Sequence, residues 1–244
     1  MHVIRGILFF LTMSGSAILL SIPLLPFALR SKEGAIRTAK IWVGFVLWSL
    51  KMVCGISVQV ANPERIPRTG AIVASNHQSM WETLFLFHAL PSPVVVAKRE
   101  LFSIPIFGFW LKRTGAIGID RTSGAKAVKV LIREAAERVQ EGGQLVIFPE
   151  GTRANPTEQK ELGPGVAAVY GGAGVPCVPV AHNSGEYWLF PGPAKRPGVI
   201  DVRIGKAIEA GLPRKEFMEI LSREILTLRP DLRPSPTVEF ATAS

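Results

Sequence analysis

The sequence predicts an α/β domain, a layered sheet with flanking helices, that follows two hydrophobic helices. Two observations lead to this prediction. The first 55 residues are dominated by two long apolar runs, and from Ile56 onward short β-rich runs alternate with segments of helical periodicity. The chain has 244 residues, enough to bury a substantial core. Hydrophobic residues make up 48% of it, and its mean hydropathy of +0.28 favours contact with lipid over disorder.

The first apolar run, 6–29, contains no charged residue, and the second, 41–63, contains only Lys51. As a helix, the first run would reach about 36 Å, enough to cross a hydrocarbon core of about 30 Å. Pro23 and Pro26 predict that this helix kinks or ends early. A cleaved signal peptide is the alternative, but no clear small-x-small cleavage site follows the run. We therefore expect two linked helices that anchor the protein in a membrane, either spanning it or re-entering it.

The chain divides into three parts on this basis. Residues 1–55 are the predicted hydrophobic anchor, residues 56–229 the α/β domain, and residues 230–244 a Pro-rich tail that is expected to fray. Seven strands are expected in the domain, at 56–60, 71–75, 94–97, 116–119, 144–148, 178–181 and 199–204. Five helices are expected between and after them, at 81–90, 104–113, 124–141, 165–172 and 213–228. The helix over 124–141 is the clearest, because its apolar residues share one face and two glycines follow it.

The net charge of +9 is concentrated beside the apolar runs, since residues 1–51 hold six basic residues and one acidic residue. Basic residues next to an apolar anchor suit anionic lipid head groups, and they predict an inner-membrane protein whose domain faces the cytoplasm. Nucleic acid is the competing partner for a basic chain, but no aromatic-interleaved basic patch supports it. Cys54 and Cys177 lie in apolar settings without metal-ligand spacing, which predicts buried free thiols.

The segment N-H-Q-S-M-W-E, residues 76–82, follows a predicted buried strand and allows two interpretations. Ser79 and Glu82 form the S-x-x-E pattern of a capping box, with Ser79 as the N-cap of a helix. His77 and Glu82 can also form an acid–base pair if His77 lies in the turn and Glu82 reaches back from the first helical turn. The carboxylate would then hold one imidazole nitrogen protonated and leave the other free to take a proton.

The segment V-I-F-P-E-G-T-R places Glu150, Gly151, Thr152 and Arg153 after another strand. Gly151 lets the backbone approach a ligand closely, and Thr152 and Arg153 can donate hydrogen bonds to a phosphate. The alternative is a polar turn after a buried strand.

Three more polar residues follow predicted strands. Arg121 and Lys98 are further candidates, with a surface turn and a solvated helix start as their alternatives. His182, in V-P-V-A-H-N-S-G, is expected to be structural or to line a pocket. Ligand sites of α/β folds gather at the carboxyl ends of strands, so we expect all these segments to meet at one edge of the sheet.

Four motifs, in order and spacing, resemble the four blocks of the glycerolipid acyltransferases. They are N-H-Q-S-M-W-E, G-x-I-x-I-D-R, F-P-E-G-T-R and V-P-V-A-H-N-S-G, and the resemblance covers roughly residues 56–210. The branch that the chain resembles is the bacterial 1-acyl-glycerol-3-phosphate acyltransferases. The family's usual acid in the first block is Asp, whereas this chain has Glu82.

The resemblance implies transfer of a fatty acyl chain from acyl-CoA or acyl carrier protein to the sn-2 hydroxyl of lysophosphatidic acid, giving phosphatidic acid. It implies His77 as the base, with Glu82 holding its imidazole, and it implies no metal and no cofactor. Residues expected at the acceptor phosphate are Arg153, Thr152, Gly151, Glu150, Arg121 and Lys98, with Glu150 orienting Arg153 or binding glycerol. Expected partners are membrane lipids, the acyl donor and lysophosphatidic acid. Candidates for an acyl groove are Phe102, Ile104, Phe107 and Trp110, with core packing as their alternative.

Three other functions remain open from the sequence. The acceptor can be another lyso-lipid, such as lyso-ornithine lipid or lysophosphatidylglycerol. The chain can be a membrane protein that binds lipid without catalysis, in which case no turnover depends on His77. A basic nucleic-acid-binding protein is the third, and it predicts salt-sensitive binding that survives removal of residues 1–51.

Overall fold

The computed structural model of the chain describes residues 1–120 and 124–231, and this part has the predicted α/β architecture. The helices are α1 (His2–Arg30), α2 (Lys32–Cys54), α3 (Trp81–Ala89), α4 (Phe107–Arg113), α5 (Gly124–Gln140), α6 (Gly165–Ala173) and α7 (Arg214–Leu228). The strands are β1 (Ile56–Ala61), β2 (Ala71–Ser75), β3 (Pro93–Lys98), β4 (Ile117–Ile119), β5 (Gln144–Ile147), β6 (Cys177–His182) and β7 (Gly198–Ile204). Each predicted strand is present, with ends that differ by at most one residue.

The predicted helix over 104–113 is wrong in its first turn. It begins only at Phe107, because Ile104 is extended (ψ 123°) and Ile106 has a positive φ of 64°. Pro105 accounts for the extended residue before it, since a proline ring clashes with a helical conformation of the preceding residue.

The seven strands form one sheet in the order β1-β7-β6-β2-β5-β3-β4. All neighbours are parallel except β6 and β7, which are antiparallel. Strands β2, β3, β4, β5 and β6 therefore end at the same edge, which we call the carboxyl edge. The segments that follow β2, β5 and β6 are neighbours there, and these are three of the segments whose polar residues were expected to meet.

Side chains alternate across the sheet and form two hydrophobic layers. Ile72 and Leu145 point to one face, where α5, α6 and α7 cover them. Val73 and Val146 point to the other face, where α2 and α3 cover them together with Phe9 of α1. The central strands are buried on both faces, as their continuous apolar sequences predict.

The first two helices differ in character. Within the described residues, α1 is the one helix long and apolar enough to cross a membrane, and only 11% of its most apolar window is buried. It continues through Pro23 and Pro26 to Arg30, so of the two expected effects of these prolines, a kink or an early end, the early end is wrong. Helix α2 carries five charged residues and buries Val46 and Leu50 in the core. The expectation of two anchoring helices is therefore corrected to one candidate membrane helix, because the apolar face of α2 is used in packing the domain.

Candidate active site

The turn after β2 holds His77 through its backbone. The Asn76 side chain pairs with the end of β6, since its Nδ2 donates to the His182 carbonyl and its Oδ1 accepts the His182 N–H, both at 3.0 Å. The His77 carbonyl accepts the N–H of Ala154 at 2.8 Å, and the His77 N–H donates to Glu150 Oε2 at 3.3 Å. The position of His77 is therefore fixed by contacts that do not involve its imidazole.

Glu82 lies in the first turn of α3, fully buried, and its carboxylate reaches back to the turn. Oε1 is 2.7 Å from His77 Nδ1 and also accepts the N–H groups of Gln78 at 2.9 Å and Ser79 at 2.8 Å. Oε2 accepts the hydroxyls of Ser79 at 2.6 Å and Ser184 at 2.9 Å. The expected contact between His77 and Glu82 is present, and the carboxylate makes five hydrogen bonds in all.

The capping interpretation of the same segment also holds in large part. The Ser79 hydroxyl accepts the N–H of Trp81 at 3.0 Å, while Glu82 accepts the N–H of Ser79. The helix begins at Trp81 and its preceding cap position is Met80, one residue later than predicted. Glu82 reaches His77 from the first turn of a capped helix, so the two interpretations describe one structure.

The surroundings of Glu82 set its charge, and that charge sets the tautomer of His77. Burial by itself would raise the pKa of Glu82, but the neighbouring histidines and the hydrogen bonds from His77 and Ser79 lower it to about 2. An ionised carboxylate only accepts hydrogen bonds, so His77 donates its Nδ1–H and Nε2 is the nitrogen that can take a proton. The imidazole stacks on Phe148, with ring centroids 4.1 Å apart and 15° between planes, and 16% of the side chain is exposed. The imidazole is thus held in one orientation and can be reached from outside.

His182 lies behind this pair and is structural, as expected. Its Nε2 donates to the Asn76 carbonyl at 2.9 Å, and its Nδ1 accepts the Ser184 N–H at 3.2 Å. Burial lowers the pKa of His182, so it is neutral near pH 7.

The segment after β5 brings Arg153 beside the same turn. Its Nε donates to the Ser79 carbonyl at 3.1 Å, and its guanidinium lies 4.5 Å from the ring centroid of Phe190. Gly151 has a φ of 69°, a conformation that favours glycine, and the space around its Cα is open. Thr152 is exposed next to it. Gly151, Thr152 and Arg153 can therefore receive an anion at the surface of the site.

Glu150 was expected to orient Arg153 or bind glycerol, and its contacts are different. Its carboxylate accepts the backbone N–H of His77. Glu150 therefore helps to hold the turn over residues 76–80, which we call the histidine turn. Burial raises the pKa of Glu150 to about 7, against the opposing effects of that N–H, Arg229 and Lys160. The negative charge of Glu82 also raises the pKa of Glu150.

Replacing Glu150 by Gln should change how stability depends on pH. A carboxyl group whose pKa is raised on folding binds more protons in the folded state, so wild type loses stability as pH rises from about 4.5 to about 7. Glu150→Gln keeps the shape and removes this loss. Thermal unfolding of both proteins between pH 4.5 and 8 measures it. A melting-temperature difference that stays constant over this range would show that Glu150 ionises normally.

The two remaining phosphate candidates lie farther along the carboxyl edge or outside the described residues. Lys98 ends β3, beside β5, and its side chain is exposed. Arg121 follows β4, and it lies outside the described residues, as does the tail from residue 232. The structure thus brings His77, Glu82, Glu150 and Arg153 together and leaves Lys98 at the margin.

Two cavities flank Arg153 and Phe190. An apolar groove of about 670 Å³ runs between α1 and the histidine turn, and its lining includes Phe10, Leu11, Met80 and Trp188. A more polar pocket of about 430 Å³ lies on the other side, and Arg196 and Asn155 line it. The linings of these two cavities do not include the acyl-groove candidates Phe102, Ile104, Phe107 and Trp110. Ile104 and Phe107 are exposed, and Trp110 donates a hydrogen bond to the Ser21 hydroxyl of α1.

Most of the residues that surround the site were not predicted from the sequence. Trp188 and Phe190 stand in an irregular loop without periodicity, and Ser184 lies 102 residues from Glu82. Phe148 had a signal, since it is the first residue of F-P-E-G-T-R at the end of β5. A large ring at that position can pack against a side chain at the end of the neighbouring strand, which is β2.

Comparisons with known proteins show the family of the chain. The acyltransferase family model matches residues 57–183. A 1-acyl-sn-glycerol-3-phosphate acyltransferase of Pseudomonas aeruginosa is 38% identical over 213 residues, which cover 85% of this chain and 81% of that protein. The human 1-acyl-sn-glycerol-3-phosphate acyltransferase beta is 30% identical over 58% of this chain and 52% of its own length.

A solved structure supports the fold independently. The crystal structure of the 1-acyl-sn-glycerophosphate acyltransferase PlsC from Thermotoga maritima superposes with a TM-score of 0.76 at 19% identity, covering 91% of this chain and 93% of that one. The family model and the bacterial relative show the family, and the solved structure shows the fold. The chain therefore belongs to the acyltransferase family and is an enzyme of the O-acyltransferase class.

Proposed function

We propose that the protein acylates the sn-2 hydroxyl of 1-acyl-sn-glycerol-3-phosphate, with acyl-CoA or acyl carrier protein as donor, and produces phosphatidic acid for phospholipid biosynthesis. The observation that carries this proposal is the contact of 2.7 Å between His77 Nδ1 and a buried, ionised Glu82. The relatives' names support lysophosphatidic acid as the acceptor.

The reaction needs one base and no protein nucleophile. His77 Nε2 takes the proton of the acceptor hydroxyl while that oxygen attacks the thioester carbonyl. Glu82 holds the imidazole in the required tautomer and stabilises the imidazolium. The new C–O bond forms, the C–S bond breaks, and the proton on His77 passes to the leaving thiolate. The imidazole returns to its neutral form at the end of each cycle.

The two cavities suit an amphipathic acceptor. An acyl chain would lie in the apolar groove beside α1, and the phosphate would lie next to Arg153 with Gly151 and Thr152. The Nε of Arg153 is engaged by the Ser79 carbonyl, so the two terminal nitrogens of the guanidinium are the ones available for a bidentate grip. The exposed apolar surface of α1 would place this groove at the inner leaflet of the cytoplasmic membrane.

Arg153→Ala should weaken binding of the acceptor more than it slows the chemical step. Loss of a charged hydrogen bond to phosphate raises the acceptor KM by about 10- to 100-fold. Monoacylglycerol lacks the phosphate, so its acylation should be unaffected by the substitution. Arg214→Ala removes the same charge from an exposed position at the start of α7 and serves as control. An unchanged acceptor KM in Arg153→Ala would exclude the phosphate role.

The function itself is tested by offering the wild-type protein in lipid vesicles a panel of acceptors. Lysophosphatidic acid, lysophosphatidylglycerol, lyso-ornithine lipid and monoacylglycerol are compared, each with acyl-CoA and with acyl carrier protein. The proposal predicts the highest kcat/KM for lysophosphatidic acid. A preference for another lyso-lipid would keep the mechanism and change the acceptor, whereas transfer to none of them would contradict the proposed function.

A further inference from the structure

A buried ion pair lies where the chain leaves α7. Arg229 is 1% exposed, and its guanidinium contacts the carboxylate of Asp231 through Nη2 and through Nε, the latter at 3.0 Å from Oδ1. Neither residue belongs to the four motifs, and neither was singled out in the sequence. Two charges taken out of water contribute little net stability compared with apolar packing, so the location of the pair needs another explanation.

The partners of this ion pair supply that explanation. Asp231 Oδ2 accepts the side-chain N–H of Gln78 at 2.8 Å and the backbone N–H of Thr157 at 3.1 Å. Arg229 Nη1 donates to the carbonyl of Glu158. The pair therefore joins the histidine turn, which contains Gln78, to the segment after β5, which contains Thr157 and Glu158 and carries Arg153.

Gln78 connects the ion pair to His77 and Glu82. Its backbone N–H donates to Glu82 Oε1 at 2.9 Å, and its side-chain Oε1 accepts the N–H of Gly185 at 3.0 Å. A Cβ at Gly185 would meet Gln78 Cβ and Pro156 Cγ, both at 3.1 Å, so the segments after β2, β5 and β6 pack without spare room. Only Gln78 separates Asp231 from the carboxylate that holds His77.

We propose that Arg229 and Asp231 are positioning residues that hold the segment carrying Arg153 in fixed register with the turn carrying His77. The inference rests on the proposed function, in which the acceptor phosphate binds at Arg153 while its hydroxyl meets His77. Because these two groups come from different strands, their separation depends on a link between the segments. The segments already share direct hydrogen bonds, from Ala154 to His77 and from Arg153 to Ser79. The ion pair and Gln78 add a second link between them without touching the substrate.

Kinetics of three variants test the link. Asp231→Asn removes the charge opposite Arg229, Gln78→Ala removes the contact but leaves the ion pair, and the third variant combines them. Since displacement of a reacting group by about 1 Å can cost about 100-fold in rate, each single variant should lose about 10- to 100-fold in kcat/KM for lysophosphatidic acid. The double variant should lose no more than the more impaired single one, because both act through one contact. Losses that multiply in the double variant would overturn the proposal.

Amide hydrogen exchange provides a measurement that does not depend on activity. In Asp231→Asn and in Gln78→Ala, residues 77–79 and 154–158 should exchange at least about 10-fold faster than in wild type, while the central strands keep their protection. Asp201→Ala is the control, since it breaks another short ion pair, Arg203–Asp201 at 2.9 Å, in β7. That control should leave exchange in both segments and kcat/KM unchanged.

The two measurements separate the possible outcomes. If wild type acylates no lyso-lipid, the proposed function fails, and faster exchange in both segments would still support the link. If both single variants keep wild-type kcat/KM and only melt at a lower temperature, the ion pair is structural and the inference is wrong. Unchanged exchange in both segments would also overturn it. Gln78→Ala keeps the buried charges paired, so it tests the link even if Asp231→Asn folds poorly.

Discussion

His77→Ala should lower kcat by about 10³-fold or more, since general base catalysis contributes about 10²- to 10⁴-fold. The loss should appear with lysophosphatidic acid and with any other accepted lyso-lipid, because the proton must leave the hydroxyl in each case. The variant should fold, as the hydrogen bonds that fix the turn use the backbone of His77 and the side chain of Asn76. Glu82 keeps four of its five hydrogen bonds.

Two controls make this result specific to the base. Melting temperature and vesicle binding should remain close to wild type, which shows that the domain and α1 are intact. His88→Ala removes another histidine, one that contacts the Lys40 carbonyl away from the site, and should keep full activity. Wild-type turnover by His77→Ala would exclude His77 as the base.

Glu82→Gln should have the second largest effect, a loss of about 10²- to 10³-fold in kcat with little change in fold. The Gln oxygen can still accept from His77 and the turn N–H groups, and its NH₂ can donate to the hydroxyls of Ser79 and Ser184, which accept as readily as they donate. The hydrogen-bond network is therefore kept, while the negative charge that stabilises the imidazolium is lost. Kinetics and thermal unfolding of the same preparation separate the two contributions.

Glu82 should also contribute to stability at neutral pH. Its pKa is about 2 in the folded protein and about 4.5 as a free side chain, so this contribution is complete above pH 4.5 and is lost as pH falls towards 2. Glu82→Gln should remove that part of the acid sensitivity. If the substitution lowered the melting temperature but left kcat intact, Glu82 would be a helix cap and no more.

Glu82→Asp addresses the departure from the family's usual acid. The shorter side chain keeps the charge but withdraws it by one methylene from His77, whose Nδ1 now lies 2.7 Å away. Because all five contacts of the carboxylate are arranged for Glu, we expect Glu82→Asp to fall between wild type and Glu82→Gln in kcat. Activity equal to wild type would show that the turn adapts to either acid.

Local sequence information was enough to predict the contact between His77 and Glu82. His77 and Glu82 are five residues apart, and the S-x-x-E pattern requires Glu82 to reach back over the turn, so the contact follows from the helix start. The strands were also predictable, because β2 and β5 are continuous apolar runs bounded by polar turns. The carboxyl-edge arrangement then follows from the parallel topology.

The residues that hold the site in place from other parts of the chain could not be predicted in the same way. Ser184, Phe190 and Asp231 reach the site from distant parts of the chain, and their contacts depend on how the layers pack. The role of α2 was missed for a related reason. Its apolar residues indicated an anchor, but tertiary packing uses them in the core and leaves α1 as the candidate membrane helix. A sequence pattern shows that a face is apolar without showing what covers it.

The His77–Glu82 pair is proposed to catalyse acyl transfer to lysophosphatidic acid. A radiolabelled acyl group, supplied on acyl-CoA or on acyl carrier protein, tests this with wild type and His77→Ala side by side in vesicles that contain lysophosphatidic acid. We predict labelled phosphatidic acid with wild type and a rate at least about 10³-fold lower with His77→Ala. Equal rates in the two proteins, or no labelled phosphatidic acid from wild type with either donor, would contradict it.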